Sequence, residues 1–533
     1  MFRTPITITL LLLCSFFVGC STSYHRQKAD EEVYAILSKG EEQVFNRKKN
    51  FSIDTSSNQK PLESITNTSL LKRTNSNESI HLTLNKTLEY ALANSREYQS
   101  RKEQLYLTAL TLSDTKQTFA VIPRSSIDSD FVRQSDGDEL LNVGGQNTLS
   151  KLLKGGGSIS LSLANDLLKF FTGSSTRSVT SAIGFNIMQP LLRGRGANIA
   201  AERLTQASRN VIYEIRDYAF FQQTFSREIV IDYISLIQQE ERVRNQLTNF
   251  ESRKANYEYL QARSIDRASN SEVAQAKQAM LEAETAYIET QVGYENAEDT
   301  FKIQIGMPAG INLSLDPSEL DKLVKVGLLR LKYTEQECYQ LSLRHRADIL
   351  NEIDEFEDSR RNVLVTADTL KTTLDFVGNA SLQSSGNRWE RLNINDLSSS
   401  VGFELDLPVN KKRERNNYRR SLINFDSRAR SLSQTHDELR NLIKRRFREL
   451  EQFRNNYEIE IGAVKLAERR VEENELRLKM GTLIFRRLSE SQDDLIRAQN
   501  AVTTALVNYQ ESRLRLYEEI GLLDIEKAEF WLN

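Results

Sequence analysis

The side chains here that could form a covalent bond, hold a metal or move a proton are three cysteines, four histidines and 73 carboxylates. Their spacing speaks against most of those uses. His25, His81, His345 and His436 stand far apart, with none of the short intervals that put two ligands on one turn or helix face, so no metal site is expected. The Asp and Glu residues lie on amphipathic helical patterns, and no pair stands out for acid–base work. Gly155-Gly156-Gly157 is followed by no Lys-Ser/Thr and opens no helix, which excludes a phosphate loop. No nucleophile elbow occurs either, so neither an enzyme nor a bound cofactor is expected. Cys20 is different. It follows Phe17-Val18-Gly19, behind Arg3 and the apolar run from Ile6 to Val18, the layout of a secretory signal too short to be a permanent span.

A small residue directly before a cysteine at that position resembles the bacterial lipobox. The resemblance implies cleavage ahead of Cys20 and acylation of its thiol, as with palmitate, and Ser21 in place of an aspartate implies sorting to the outer membrane. Cys14 would leave with the signal, so Cys338 has no partner and no disulfide framework is expected in an oxidising compartment. A formal net charge of −2 gives nothing to attract a polyanion, which argues against nucleic acid as a partner. Only 7 prolines and 22 glycines occur, and this poverty in breakers favours long helices over many small folded units. No later stretch is apolar for long enough to span a bilayer as a helix. A membrane crossing would have to use strands.

The elements that position these residues repeat once. Ser181–Gly196 begins as an alternating strand, stops at Pro190, turns through Arg193-Gly194-Arg195 and opens into a long helical pattern. Val401–Arg415 does the same, with Pro408 followed by Lys411 and Lys412. Gly184 and Gly402 are 218 residues apart, as are Pro190 and Pro408. A junction recurring at one spacing points to an internal duplication. Helix Leu84–Val121 is mirrored by Glu335–Thr373, at an offset of 251, so the first repeat carries 33 extra residues between its strands. Strand-like alternation appears at Ile127–Phe131, Ser158–Leu163 and Val179–Ile187, and again at Leu374–Leu382 and Ser399–Leu407. The first set has one segment too many for a hairpin, which implies an excursion in its connecting loop. Each repeat ends in a helical hairpin, about 199–305 and about 416–520. Val211, Ile215, Tyr218, Gln222, Phe225, Ile229, Asp232 and Leu236, then Val243, Leu247 and Phe250, follow a coiled-coil period that predicts packing along the whole first helix. Ser269 with Glu272, and Thr334 with Glu337, form capping boxes.

Over residues from about Leu82 to Leu523 these features resemble the TolC-like outer-membrane efflux family. The features are the duplicated order, the strand ending Gln189-Pro190-Leu191, the turn Arg477-Leu478-x-x-Gly481-Thr482 and the return Ser271-Glu272-Val273-x-Gln275-Ala276. The resemblance implies a mainly α fold with membrane β: duplicated helix–strand–strand–helix–helix units in a trimeric α-barrel with a shared β-barrel. It implies a homotrimer whose partners are a periplasmic adaptor (a membrane-fusion protein) and an inner-membrane pump. It also implies an acidic ring past the second-repeat turn, at positions that fall on Arg487 and Glu490; Glu490 keeps the acid and Arg487 reverses the sign. An Arg487–Glu490 pair would neutralise such a gate, and the alternative is an exposed pair with no gating role. Independently, two hairpins give four strands, too few to close a membrane barrel, so copies must share one.

The expected layout is a signal at 1–19, a lipidated and partly irregular tether at 20–80 and a first repeat at 81–306, with strands in about 125–188. A linker at 307–333, a second repeat at 334–521, with strands in about 374–407, and a tail at 522–533 complete it. Basic turns Arg193, Arg195, Lys411 and Lys412, after Pro190 and Pro408, are candidates for holding outer-membrane lipid headgroups or else plain solvated turns. Phe131, Phe185, Trp389 and Phe403 are candidates for interface girdles or for ordinary packing. The expected function is a passive outer-membrane duct for efflux or type I secretion. The rival is a coiled-coil periplasmic lipoprotein, a scaffold or adhesin, which would lack alternating strands.

Overall fold

The computed structural model describes residues 21–48, 51–55, 79–133, 138–171, 177–263, 269–308, 310–384, 388–389, 391–480, 482, 484–527 and 529–532. They fall into two compact units. One comprises Met1–Ser52, Gln104–Ile215 and Asn351–Ser433; the other comprises Ile53–Glu103, Arg216–Leu350 and Gln434–Asn533. Cys20, the signal and Gly481 of the second-repeat turn lie outside the described residues.

The first unit holds a six-stranded antiparallel sheet. In chain order its strands are β2 (Val121–Arg133), β3 (Glu139–Leu152), β4 (Ser158–Phe170), β5 (Arg177–Pro190), β7 (Thr373–Ser384) and β8 (Leu392–Asp406), and they pair in that same order. The expected excursion is therefore a complete further hairpin, β3–β4, and the chain supplies six strands rather than four. Strand β3 escaped sequence reading because Gly144-Gly145 and Asn147 interrupt its alternation of Leu141, Val143 and Leu149. The unit also contains helix α1 (Thr22–Phe45), within the stretch expected to be a partly irregular tether, most of whose Ser/Thr/Asn-rich part lies outside the described residues. Val33, Ile36, Leu37 and Gly40 make a buried stripe on it at helical spacing. A Cβ on Gly40 would overlap the Ile215 side chain, and Tyr106 donates a hydrogen bond of 2.8 Å to Asp30, so glycine and tyrosine dock the helix.

In the second unit β1 (Ser79–Leu82) pairs in parallel with β6 (Asn312–Leu315). The buried Tyr233 hydroxyl donates to the Leu82 carbonyl at 2.9 Å and accepts from the Asp316 N–H at 3.0 Å. Each expected first helix is broken in two: α2 (Leu84–Asn94) and α3 (Arg96–Gln117) part at Ser95. After one turn of helix, α4 (Ala197–Ala200), come the long α5 (Glu202–Arg263) and its return α6 (Asn270–Gln304). Then α7 (Ser318–Val326) leads to the second repeat, where α8 (Glu335–His345) and α9 (Ala347–Asp368) part at Arg346. The final hairpin is α10 (Lys412–Lys479) and α11 (Phe485–Glu519). Both capping boxes are formed, Ser269 with Glu272 and Thr334 with Glu337. The seam of α5 is buried at Val211, Ile215, Tyr218, Phe225, Ile229 and Leu236, but Leu247 is exposed. Beyond Leu236 buried polar groups such as Asn249 and Arg253 replace part of the apolar stripe.

The breaks at Ser95 and Arg346 have a common cause. Each return helix ends at a glycine of positive φ, Gly306 (φ 81°) or Gly521 (φ 70°). A Cβ on Gly306 would overlap the Asn94 carbonyl, and one on Gly521 would come within 2.7 Å of the His345 carbonyl carbon. The bare glycine backbone thus seats the break in its own repeat, and both repeats keep the device. Replacing either Gly306 or Gly521 by alanine is expected to cost about 1–3 kcal/mol through left-handed strain and overlap. The midpoint of thermal unfolding should fall in both variants and hold or rise in Gly293→Ala, a helix-interior glycine whose Cβ would meet nothing within 4 Å. Equal midpoints in all three would refute the seating.

Candidate functional site: a two-faced sheet and its helix junctions

Alternation along each strand puts one set of side chains on each face of the sheet. One row crosses all six strands as Arg124, Thr148, Ser162, Gly184, Ser381 and Ser398. Two residues along, Ser150, Ser160, Asn186, Asn379 and Ser400 cross five of them. Asp128, Asp130, Asp166 and Glu404 share the parity of these rows, so this face is polar. The opposite face carries Ile127, Phe131, Leu149, Leu161, Leu163, Ile183, Phe185, Ile187, Leu397, Val401, Phe403 and Leu405. Ile127, Phe131, Val401 and Phe403 remain 61–73% exposed. An apolar surface this extensive is not left to water in a soluble monomer. The polar groups on that face answer one another: Ser181 donates to Asn165 at 2.7 Å. Among the described residues no helix is long and apolar enough to cross a membrane.

At one end of the sheet the strands turn into helices, and both junctions are bonded to the stretch where α9 ends and β7 begins. Pro190, which lacks an N–H, ends β5 and is buried. The next N–H, of Leu191, donates to the Leu374 carbonyl at 2.8 Å. Gly194 (φ 79°) donates to Asp368 Oδ2 at 2.6 Å, and the Lys371 ammonium lies 2.7 Å from the other oxygen. An aspartate closing α9 opposes the helix dipole, so its place there is set by this junction rather than by the helix. The triple glycine packs underneath: Gly196 donates to the Gly155 carbonyl at 3.1 Å, and Gly156 (φ 95°) abuts Gly194 and Pro190. At the second junction Pro408 is half-buried, and Asn410 caps α10 by accepting from the Lys412 N–H at 3.0 Å. The Lys411 ammonium donates to the Leu370 carbonyl at 2.8 Å, so it serves the junction itself. Arg193 is half-buried, while Arg195 and Lys412 are exposed.

Beside the junction, α5 and α9 of the first unit are joined by a polar network that sequence reading missed. Asp358 accepts from Tyr213 at 2.7 Å, Gln206 at 2.9 Å and Arg361 at 2.7 Å, and Arg361 also reaches Glu202 at 3.1 Å. Burial alone would raise the Asp358 carboxyl, but the hydrogen bonds from Tyr213, Gln206 and Arg361 outweigh it and hold it below the usual carboxylate range.

In the second unit the turn ends of both helical hairpins meet. Leu260, Ala276, Ala279, Leu478, Phe485 and Leu488 form one apolar cluster. Next to it the buried Arg253 pairs with Asp493 and donates to Ser489 at 3.1 Å, linking residues about 240 apart that no sequence motif connects. Arg487 and Glu490 are both exposed on α11. Glu490 pairs with Arg486 one turn earlier, at 2.9 Å, rather than with Arg487.

No protein-family model matches this sequence, and no curated protein does. Solved structures do. VceC, an outer-membrane protein of Vibrio cholerae, matches with a TM-score of 0.61 at 13% identity, over 82% of this chain and 96% of that one. CmeC, an outer-membrane channel of Campylobacter jejuni, gives 0.60 at 14% identity, over 84% and 87%. The MtrE outer-membrane channel of Neisseria gonorrhoeae gives 0.60 at 12% identity, over 82% and 89%. The chain has the TolC-like channel fold. Within that fold the two-faced sheet, the junctions, the Asp358 network and the meeting hairpin turns are places where described side chains gather.

The sign of the acid response follows from Asp358. A carboxyl whose folded pKa lies below its unfolded value stabilises fully above about pH 4, and that stability is lost as pH falls through the folded value. Between about pH 6 and pH 3 the wild type should lose more thermal stability than Asp358→Asn, which starts lower and has no such carboxyl to protonate. Parallel pH profiles would show that the network is not linked to folding.

Proposed function

We propose that this chain is the outer-membrane duct of a tripartite exporter, a passive conduit for efflux or type I secretion. The observation that carries the reading is the six-stranded sheet with one exposed apolar face, one polar face and two unpaired edge strands, β2 and β8. In hydrocarbon each unpaired N–H or C=O costs several kcal/mol, so such a sheet is stable there only when its edges are paired. Copies of the same chain, three by the resemblance, supply the partners, and the polar face then lines water. A helical scaffold or adhesin has no use for this surface. Acylation of Cys20 anchors the chain in the inner leaflet of the outer membrane. Arg195 and Lys412, exposed beside the strand ends, lie where phospholipid headgroups would be held. The residue layout, signal 1–19, tether 20–80, repeats 81–306 and 334–521, belongs to this reading.

The helical hairpins extend into the periplasm, where their turns meet an adaptor and an inner-membrane pump that supplies the energy. Arg253 with Asp493, and the exposed Arg486, Arg487 and Glu490, then surround the entrance. A mixed set of charges gives weak ion preference.

Two measurements test this. The purified protein should fractionate with the outer membrane and open steady channels in planar bilayers; a soluble periplasmic protein without conductance would overturn the duct. In the same bilayers Arg487→Asp should move the reversal potential in a salt gradient toward cation selectivity, by several-fold in permeability ratio. An unchanged reversal potential sinks the gate role of Arg487 while leaving the duct intact.

A further inference from the structure

The first repeat exceeds the second by 33 residues, and the structure accounts for them: β3 and β4 occupy Glu139–Phe170, between the strands that correspond to β7 and β8. Such an insertion has two possible places. Extruded, it would leave β2 paired with β5, as β7 pairs with β8, and form a plug or a surface flap. Built in, it would separate β2 from β5. We infer that the β3–β4 hairpin is part of the membrane wall, so that each copy contributes six strands and three copies close an eighteen-stranded barrel instead of a twelve-stranded one. The inference rests on the duct reading above.

Four observations support it. First, the hairpin is paired over its full length on both sides, Val121↔Lys151 through Arg133↔Glu139 with β2, and Ser158↔Met188 through Lys169↔Arg177 with β5. Second, β3 spans 14 residues and β4 spans 13, and a tilted membrane strand needs about 9–11. Third, the faces run straight through it. Thr148 and Ser162 continue the polar row into Ser381 and Ser398, and Leu149 and Leu161 continue the apolar row into Phe185. A flap outside the membrane has no reason to match both faces of the wall. Fourth, its return turn is anchored in the junction, where Gly155 accepts from Gly196 and Gly156 fits against Pro190.

Strand direction explains why the insertion is a pair. Adding two strands preserves the alternation, so β5 still meets β7 antiparallel, and β8 of one copy still meets β2 of the next antiparallel. A single added strand would have broken that order. The consequence is width. With strands about 4.8 Å apart and tilted about 40°, eighteen strands give a backbone radius of about 18 Å, against about 12 Å for twelve. The membrane end of this duct therefore takes cargo of larger cross-section than two hairpins per copy would pass.

One cysteine position separates the two arrangements. In the built-in wall Phe185 faces Leu161. In the extruded arrangement the repeat offsets carry the Phe376↔Phe403 pair onto Ser125 and Phe185. In a Cys338→Ser background, Leu161→Cys/Phe185→Cys should form an intrachain disulfide in outer-membrane preparations, and Ser125→Cys/Phe185→Cys should form none. The reverse pattern would falsify the built-in hairpin. A chain absent from the outer membrane would instead overturn the duct reading. Because a cysteine pair can also block folding, Thr148→Cys/Arg124→Cys serves as a second pair: its disulfide is expected only if β3 lies beside β2.

Discussion

A strand's peptide groups need partners from another strand, and the antiparallel ladder that supplies them is the constraint on which the rest of the structure depends. Six strands satisfy one another through a continuous antiparallel ladder and still leave the outer edges of β2 and β8 open. An even number of antiparallel strands makes the two edge strands run in opposite directions. The duplication supplies the first four and the inserted hairpin adds two without disturbing the parity.

The junctions show how the same chain leaves the sheet. A strand ending in proline lacks that residue's N–H for the ladder, and the backbone beyond it finds its partners on neighbouring segments. It finds them in Leu374, Asp368 and Gly155, which belong to three different segments. Glycines of positive φ at 156, 194 and 196 let the segments approach without side chains between them. In the second unit Gly306 and Gly521 perform the corresponding task for the helix breaks at Ser95 and Arg346. Repeated use of one device at equivalent positions shows that the duplication preserved backbone geometry where it let side chains diverge.

Charged groups are used in two ways. Around Asp358 charged groups are largely withdrawn from water and satisfied by several partners, which makes them specific and costly to disturb. At the hairpin turns Arg486, Arg487 and Glu490 are exposed, where pairs contribute little to stability. The first set holds two helices together; the second leaves its charges in solvent.

The sequence by itself determined what is periodic. Alternation of Ile127, Ser129 and Phe131, the heptad run from Val211 to Leu236, both capping boxes and the offsets of 251 and 218 all arise from neighbouring residues, where local geometry leaves one solution. It even announced 33 surplus residues. Tertiary structure decided what those residues became, because β3 is interrupted by glycines and only its ladder to β2 and β4 identifies it as a strand. It also revealed α1, whose buried stripe has meaning only against Ile215, and the helix breaks, which exist because a distant glycine seats them. Gly194 meets Asp368 across 174 residues and Arg253 meets Asp493 across 240. No local pattern records such pairs, since a side chain's partner is set by which segments the packed chain brings within reach.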